Sequence, residues 1–175
     1  TAVAAAAEVT GRMAPGSRVR IDLPNVYETS RLFNGFVHPL VGISYIIVET
    51  PAAAYPQLAK SLTDEALAAK GLKSVTRGKL DRTDEHVYVT GTRAHPKGSV
   101  ILHNLLIRTK DHAALITANV PEELLNGAMI SLDDVPKVLA SARIEAEAAP
   151  SHDAFAFGYL GPFKEAGRLR ASAKL

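Results

Sequence analysis

The sequence predicts an α+β fold in which an antiparallel β-sheet is flanked by helices, an α/β/α sandwich. Three observations carry this. Residues 86–120 hold three runs rich in Val, Ile, Leu and Thr, HVYVTGTRA, SVILHNLLIRT and AALITANV, and the polar connections His95-Pro96-Lys97-Gly98 and Lys110-Asp111-His112 are too short for crossover helices. Residues 53–70 switch to a helical period, with Tyr55, Leu58, Ala59, Leu62, Ala66, Leu67 and Ala69 at three- and four-residue spacing. A second helical segment, 131–144, follows the strands.

Taken in order, residues 17–23 alternate polar with apolar until Pro24 stops them, which gives a first strand over 18–23. Residues 25–31 read as irregular, 32–37 as a short apolar piece, and 41–49, after Pro39, as the most strand-like run, ended by Pro51. Inside the helical segment Thr63 can cap, and Asp64 and Glu65 suit the positive end of a helix dipole, so a break near 61–63 is expected. Gly71 closes the helix, 72–80 make a weak strand, and 81–85 a polar turn. A hairpin turn on Pro96–Lys97 places Ala94 opposite Ser99 and Thr90 opposite His103; the second turn centres on Lys110–Asp111. Pro121 starts a short helical turn. Ser131 is the expected N-cap of the last helix, with Asp133 and Asp134 in its first turn, and 145–150 read as a linker. The chain divides into an Ala-rich N-terminal tail (1–16), one α/β domain (17–149) and a C-terminal aromatic and basic extension (150–175).

Composition excludes several classes of function. At 175 residues the chain buries a sizeable core without disulfides or metal staples. Gly, Pro, Ser or charge breaks every apolar stretch before it reaches bilayer length, so no transmembrane segment is expected. Net charge is +2, and the 20 Lys and Arg are scattered, so nucleic acid is not an expected partner. Cysteine is absent, which removes thiolate catalysis, Cys-based zinc or iron–sulfur sites and disulfides. Residues 1–8 resemble the small-residue end of a removed secretory signal, implying a periplasmic or secreted protein, with a trimmed Ala-rich end of a cytoplasmic protein as the alternative.

Chemistry-bearing constellations are thin. Of the six histidines (His38, His86, His95, His103, His112, His152), no pair has the spacing that puts two rings on one helical face, and no HExxH occurs. No metal site is expected. There is no GxSxG or SxxK to prepare a nucleophile, and no GxGxxG or GxxxxGK to cradle phosphate, so no cofactor is expected either. Among the carboxylates, Asp133 and Asp134 suit helix capping, Asp22 flanks a strand end, and Glu49 ends an apolar strand, where it meets water or lines a pocket.

The order of elements, with Asp22-Leu-Pro, Phe33-Asn-Gly-Phe, Gly42-Ile-Ser-Tyr-Ile-Ile-Val-Glu-Thr-Pro, the helix to Lys70-Gly-Leu and the closing Ala-Ser-Ala-Arg-Ile, resembles the PsbP-like proteins and their Mog-type Ran-binding relatives. The resemblance spans about residues 17–144 and carries no catalytic signature. It implies a PsbP-like sandwich and a non-enzymatic binding or assembly role.

Exposed apolar surface is the remaining source of function. Leu32, Phe33 and Phe36, with Val37 and Leu40, flank Gly35 and Pro39 in a segment that either leaves some of them exposed as an interaction surface or is a hydrophobic strand of the core. Phe155, Phe157 and Tyr159 alternate with Ala156 and Gly158, and Phe163 follows in a turn-like connector, so the extension reads as a paired-strand element with an aromatic face. Such a face docks on its own domain or on a second copy or partner. The expectation is a non-catalytic, exported binding or accessory protein with a protein partner or homodimer. The alternative is a small hydrolase or isomerase with a dispersed active site.

Overall fold

The computed structural model describes residues 8–127 and 129–149. Among the described residues ten strands and four helices succeed one another: β1 (Val9–Met13), β2 (Val19–Pro24), β3 (Glu28–Thr29), β4 (Gly35–Val37), β5 (Ser44–Pro51), a 3-10 turn Ala52–Ala54, α1 (Tyr55–Lys60), α2 (Asp64–Ala69), β6 (Lys73–Gly78), β7 (His86–His95), β8 (Gly98–Arg108), β9 (His112–Pro121), α3 (Glu122–Asn126), α4 (Asp134–Ala140) and β10 (Arg143–Ile144). The class is α+β, and every strand pairing is antiparallel.

The strands form two sheets rather than the single one expected: a seven-stranded sheet in the order β3-β4-β5-β9-β8-β7-β6, and a three-stranded sheet in the order β1-β2-β10. The meander 86–120 is the middle of the large sheet. Its first hairpin has His95 opposite Gly98, with Ala94 facing Ser99 and Thr90 facing His103. Its second turn lies between Arg108 and His112, where the Thr109 N–H donates to the His112 carbonyl at 2.7 Å. Strand β5 begins at Ser44 rather than at residue 41 because Gly42, with φ of +74°, turns the chain just before it.

The helical run 53–70 is divided, as the Thr63 signal allows. The Thr63 hydroxyl accepts from the Ala66 N–H, α2 starts afresh at Asp64, and Gly71, at φ of +79°, ends it. These two helices cover one face of the large sheet, where Tyr55, Leu62 and Leu67 meet Val89, Leu102 and Leu106. The opposite face is covered by a mixed layer instead of helices alone. There Val19, Ile21 and Leu23 of β2, Leu124 of α3, and Val135 and Leu139 of α4 close over Tyr45, Ile47, Leu105, Ile107 and Ile116. Each such side chain contributes about 1.5–3 kcal/mol of burial, so this double-sided packing is the main source of stability.

Three expectations at the ends of the domain change. Part of the 1–16 tail is strand β1, whose residues 9–13 pair with residues 20–24. Residues 145–149 are not a free linker: Glu145 N–H donates to Arg18 O at 2.8 Å, Ala149 N–H to Ser17 O at 2.8 Å, and Ala149 O accepts from Gly16 N–H at 3.0 Å. Ser131 does not cap α4. The Asp134 carboxylate accepts from the Ser131 N–H at 2.7 Å, because the aspartate reaches back over the turn before the helix.

Candidate interaction surface

The two ends of the large sheet are built differently. At one end lie Pro51, His112, Arg108, His86 and Gly78. Arg108 pairs with Glu85 at 2.7 Å, and its guanidinium lies 4.6 Å over the Tyr55 ring, while the Ala52 N–H donates to Asp111 O. Arg82, from the 81–85 turn, donates through one nitrogen to the carbonyls of Leu139, Ala140 and Ala142 at the C-terminus of α4, and through the others to the Asp84 carboxylate. The hydrogen bond from Arg82 holds the Asp84 carboxyl below the usual carboxylate range. We call this the tied end.

The other end is marked by Ser44, Asn119 and the β7–β8 turn. It receives the 38–43 loop, the approach to β3 at residues 25–27, and residues 129–133. Tyr27 anchors it: its ring meets His38 edge-on at 5.2 Å and Tyr45 at 5.5 Å, and burial pushes its hydroxyl up to about 12. Burial raises the Tyr45 hydroxyl as well, and the Asp134 charge, at the start of α4, adds to the rise in both tyrosines. On these loops Leu40 is 88% exposed, Leu132 75% and Met129 64%, and Val26 is exposed as well. Val41 and Ile130, beside Leu40 and Met129 in sequence, pack on the core, so the exposed side chains stand on anchored backbone. We call this the open end.

The sequence-derived surface residues separate. Leu32 is 93% exposed, alone in the 30–34 loop toward the tied end, and Phe33 is half-buried. Phe36 is a correction: it is fully buried, because β4 pairs with β5 and the Arg12 guanidinium sits 4.9 Å over its ring from the small sheet. Gly35 permits this approach, since a Cβ there would lie 1.9 Å from the Tyr45 carbonyl oxygen and φ is +143°. Phe155, Phe157, Tyr159 and Phe163 lie outside the described residues. Sequence reading missed Val26, Met129 and Leu132, whose only signal is an apolar side chain inside a polar loop.

Polar groups with chemical potential are largely satisfied by structure. The Glu49 carboxylate accepts the Arg18 N–H at 2.8 Å and so joins the two sheets; it neither lines a pocket nor simply meets water. His86 accepts from the Leu80 N–H through Nε2 and faces the Asp84 carbonyl through Nδ1, which assigns its proton to Nδ1. His38 and His95 accept backbone N–H groups of Leu40 and Lys97. The Tyr88 hydroxyl and His103 Nδ1 are hydrogen-bonded at 2.7 Å, and burial lowers His103 to about 4 and raises Tyr88 to about 12. That pair is neutral at pH 7, and no carboxylate hydrogen-bonds to it among the described residues, so it lacks the orienting acid of a triad. An open cleft of about 360 Å³ beside α2 is lined by Leu62, Asp64, Glu65, Arg77 and Val87, with Arg77 engaged by the Leu62 carbonyl and the Asp64 carboxylate. Among the described residues no group of three His, Asp or Glu side chains is placed to hold a metal, and no helix is long and apolar enough to cross a membrane.

Neither a protein-family model nor a curated protein sequence matches the chain. Among solved structures it is similar to the solution structure of cyanobacterial PsbP (CyanoP) from Synechocystis sp. PCC 6803, with 15% sequence identity, a TM-score of 0.40, and coverage of 82% of this chain and 96% of that one. That likeness is to the PsbP-like part of the expected kinship and does not support the Mog-type part.

Proposed function

We propose that this protein is a non-catalytic binding or accessory protein that takes a protein partner at the open end of its large sheet. One observation supports this above others: three loops from distant parts of the chain bring Val26, Leu40, Met129 and Leu132, all exposed, to the same end. Single exposed leucines are ordinary, whereas several large apolar side chains at one end of a sheet, on backbone anchored by Tyr27, Val41 and Ile130, are what an interface core needs. The partner is a different protein or a second copy of this chain.

The test is photo-crosslinking from positions 40 and 132 in the producing cell, with position 110 at the tied end as control. A discrete protein adduct from the first two positions and none from the third is the expected result, and its mass tells a homodimer from a foreign partner. Equal labelling from all three positions, or none from 40 and 132, overturns the reading.

A further inference from the structure

The open end has a second feature, carried by charge. Strands β7 and β8 outrun their neighbours: β6 first pairs at Lys73 opposite Thr92, and β9 last pairs at Pro121 opposite Val100. Residues 93–99 therefore pair only with one another, and all are exposed. The turn is defined by His95 opposite Gly98, whose φ of +126° suits glycine, and by the Lys97 N–H donating to His95 Nδ1 at 3.3 Å. The projection carries Arg93 and Lys97, with Lys73 at its base, and none of the three is paired with a carboxylate among the described residues. Residues 66–80 and 86–110 contain no Asp or Glu at all, so β6, β7 and β8 bring no counter-charge of their own. The nearest carboxylates along the neighbouring strand, Glu122 and Glu123, follow directly on Pro121, which pairs with Val100 at the base of the arm. The part of the arm beyond its neighbours, residues 93–99, therefore carries fixed cations alone, Arg93 and Lys97, with those two glutamates at its base.

We infer that the β7–β8 hairpin is an electrostatic docking arm for an acidic segment of another protein. Between Thr92 and Ser99 the arm has no Phe, Tyr, Trp or large apolar side chain to enter a bilayer, its one ring is His95, whose Nδ1 accepts the Lys97 N–H, and its fixed cations are too few to follow a phosphate backbone. An acidic extended segment suits it better: the arm's charges draw it in, and the backbone edges of β7 and β8 beyond their neighbours are open to it. The inference uses none of the apolar residues of the proposed interface and stands or falls separately.

It is tested with the full chain and a fluorescent peptide of about a dozen residues, mostly Asp and Glu, by anisotropy at low and raised salt. Binding that weakens as salt rises is expected. The double variant Arg93→Glu/Lys97→Glu is expected to lose at least about tenfold in affinity, and the control Lys110→Glu/Lys137→Glu less than about twofold, with unchanged circular dichroism for both. No binding by the unaltered chain, equal loss in the control, or tighter binding to phosphatidylglycerol vesicles or a single-stranded oligonucleotide than to the peptide overturns the inference. Crosslinking from positions 40 and 132 is read in the same variant, so failure of the arm and failure of the apolar interface are separate results.

Discussion

The tied and open ends of the large sheet are made from the same strands, yet polar contacts close one, and the other is left with apolar and cationic side chains in solvent. At the tied end both arginines are engaged, Arg82 on three carbonyls and Asp84, and Arg108 on Glu85 and Tyr55, while Lys110 in the β8–β9 turn is exposed and makes no ion pair among the described residues. At the open end Arg93 and Lys97 have no carboxylate among the described residues, and Leu40 and Leu132 have little cover. The contrast teaches that stability and recognition are separated in space: substituting the engaged arginines of the tied end should destabilise the protein, and substitutions at the open end should leave it folded and without its partner.

The largest expected effect probes where surface becomes core within one short segment. Phe36→Ala should cost about 3–5 kcal/mol in chemical denaturation, and Leu32→Ala, four residues earlier, less than about 0.5 kcal/mol. Similar costs for the two would place the boundary elsewhere. Next is Arg82→Met, which leaves three carbonyls without their donor and Asp84 without its partner; the expected loss is about 2–4 kcal/mol. A loss under about 1 kcal/mol would mean that the end is not held by that guanidinium.

A pH series separates the ends from the middle of the sheet. His103 is held near 4 when folded and titrates near 6.5 when unfolded, so between those values the unfolded chain binds more protons, and stability falls as pH falls from about 6.5 to about 4. The expected decline is about 2–3 kcal/mol, and His103→Gln should flatten it. Asp84, lowered in the folded state by Arg82, gives a further loss at still more acid pH, which the glutamine variant keeps and Arg82→Met removes. The smallest effect belongs to the open end: Leu40→Ser and Leu132→Ser should each change stability by no more than about 0.5 kcal/mol. A larger loss would show that these side chains support the fold.

Local signals carried most of the fold. The two-residue turn set the β7–β8 register down to Thr90 opposite His103, and Thr63 marked the helix break, because both depend on neighbours in sequence. The small sheet was invisible for the opposite reason. Val9–Met13 has weak alternation, and Arg143–Ile144 is two residues long, so nothing local distinguishes them from tail and helix end. Their pairing with β2 is settled by burial of Val19, Ile21 and Leu23, a property of the assembled core. The same holds at the surface. Leu32 and Phe36 look alike in sequence, but Gly35 admits the Tyr45 carbonyl on one side and Arg12 covers the ring on the other, and both neighbours come from elsewhere in the chain. The tip of the hairpin was legible as a turn, but its charge was not legible as a patch, because scattered lysines and arginines become neighbours only through the register.

The joint between β2 and the close of the domain bears on how the chain folds as it is made. Arg20 and Glu145, which pair at 2.8 Å, are 125 positions apart, and β10 is made only after every strand of the large sheet. On a ribosome, β2 has β1 beside it from the start and nothing on its other edge until residue 144 has emerged. That edge is the last to close and the longest to wait, so it is where a nascent chain of this protein would be most exposed to mispairing and most in need of a chaperone.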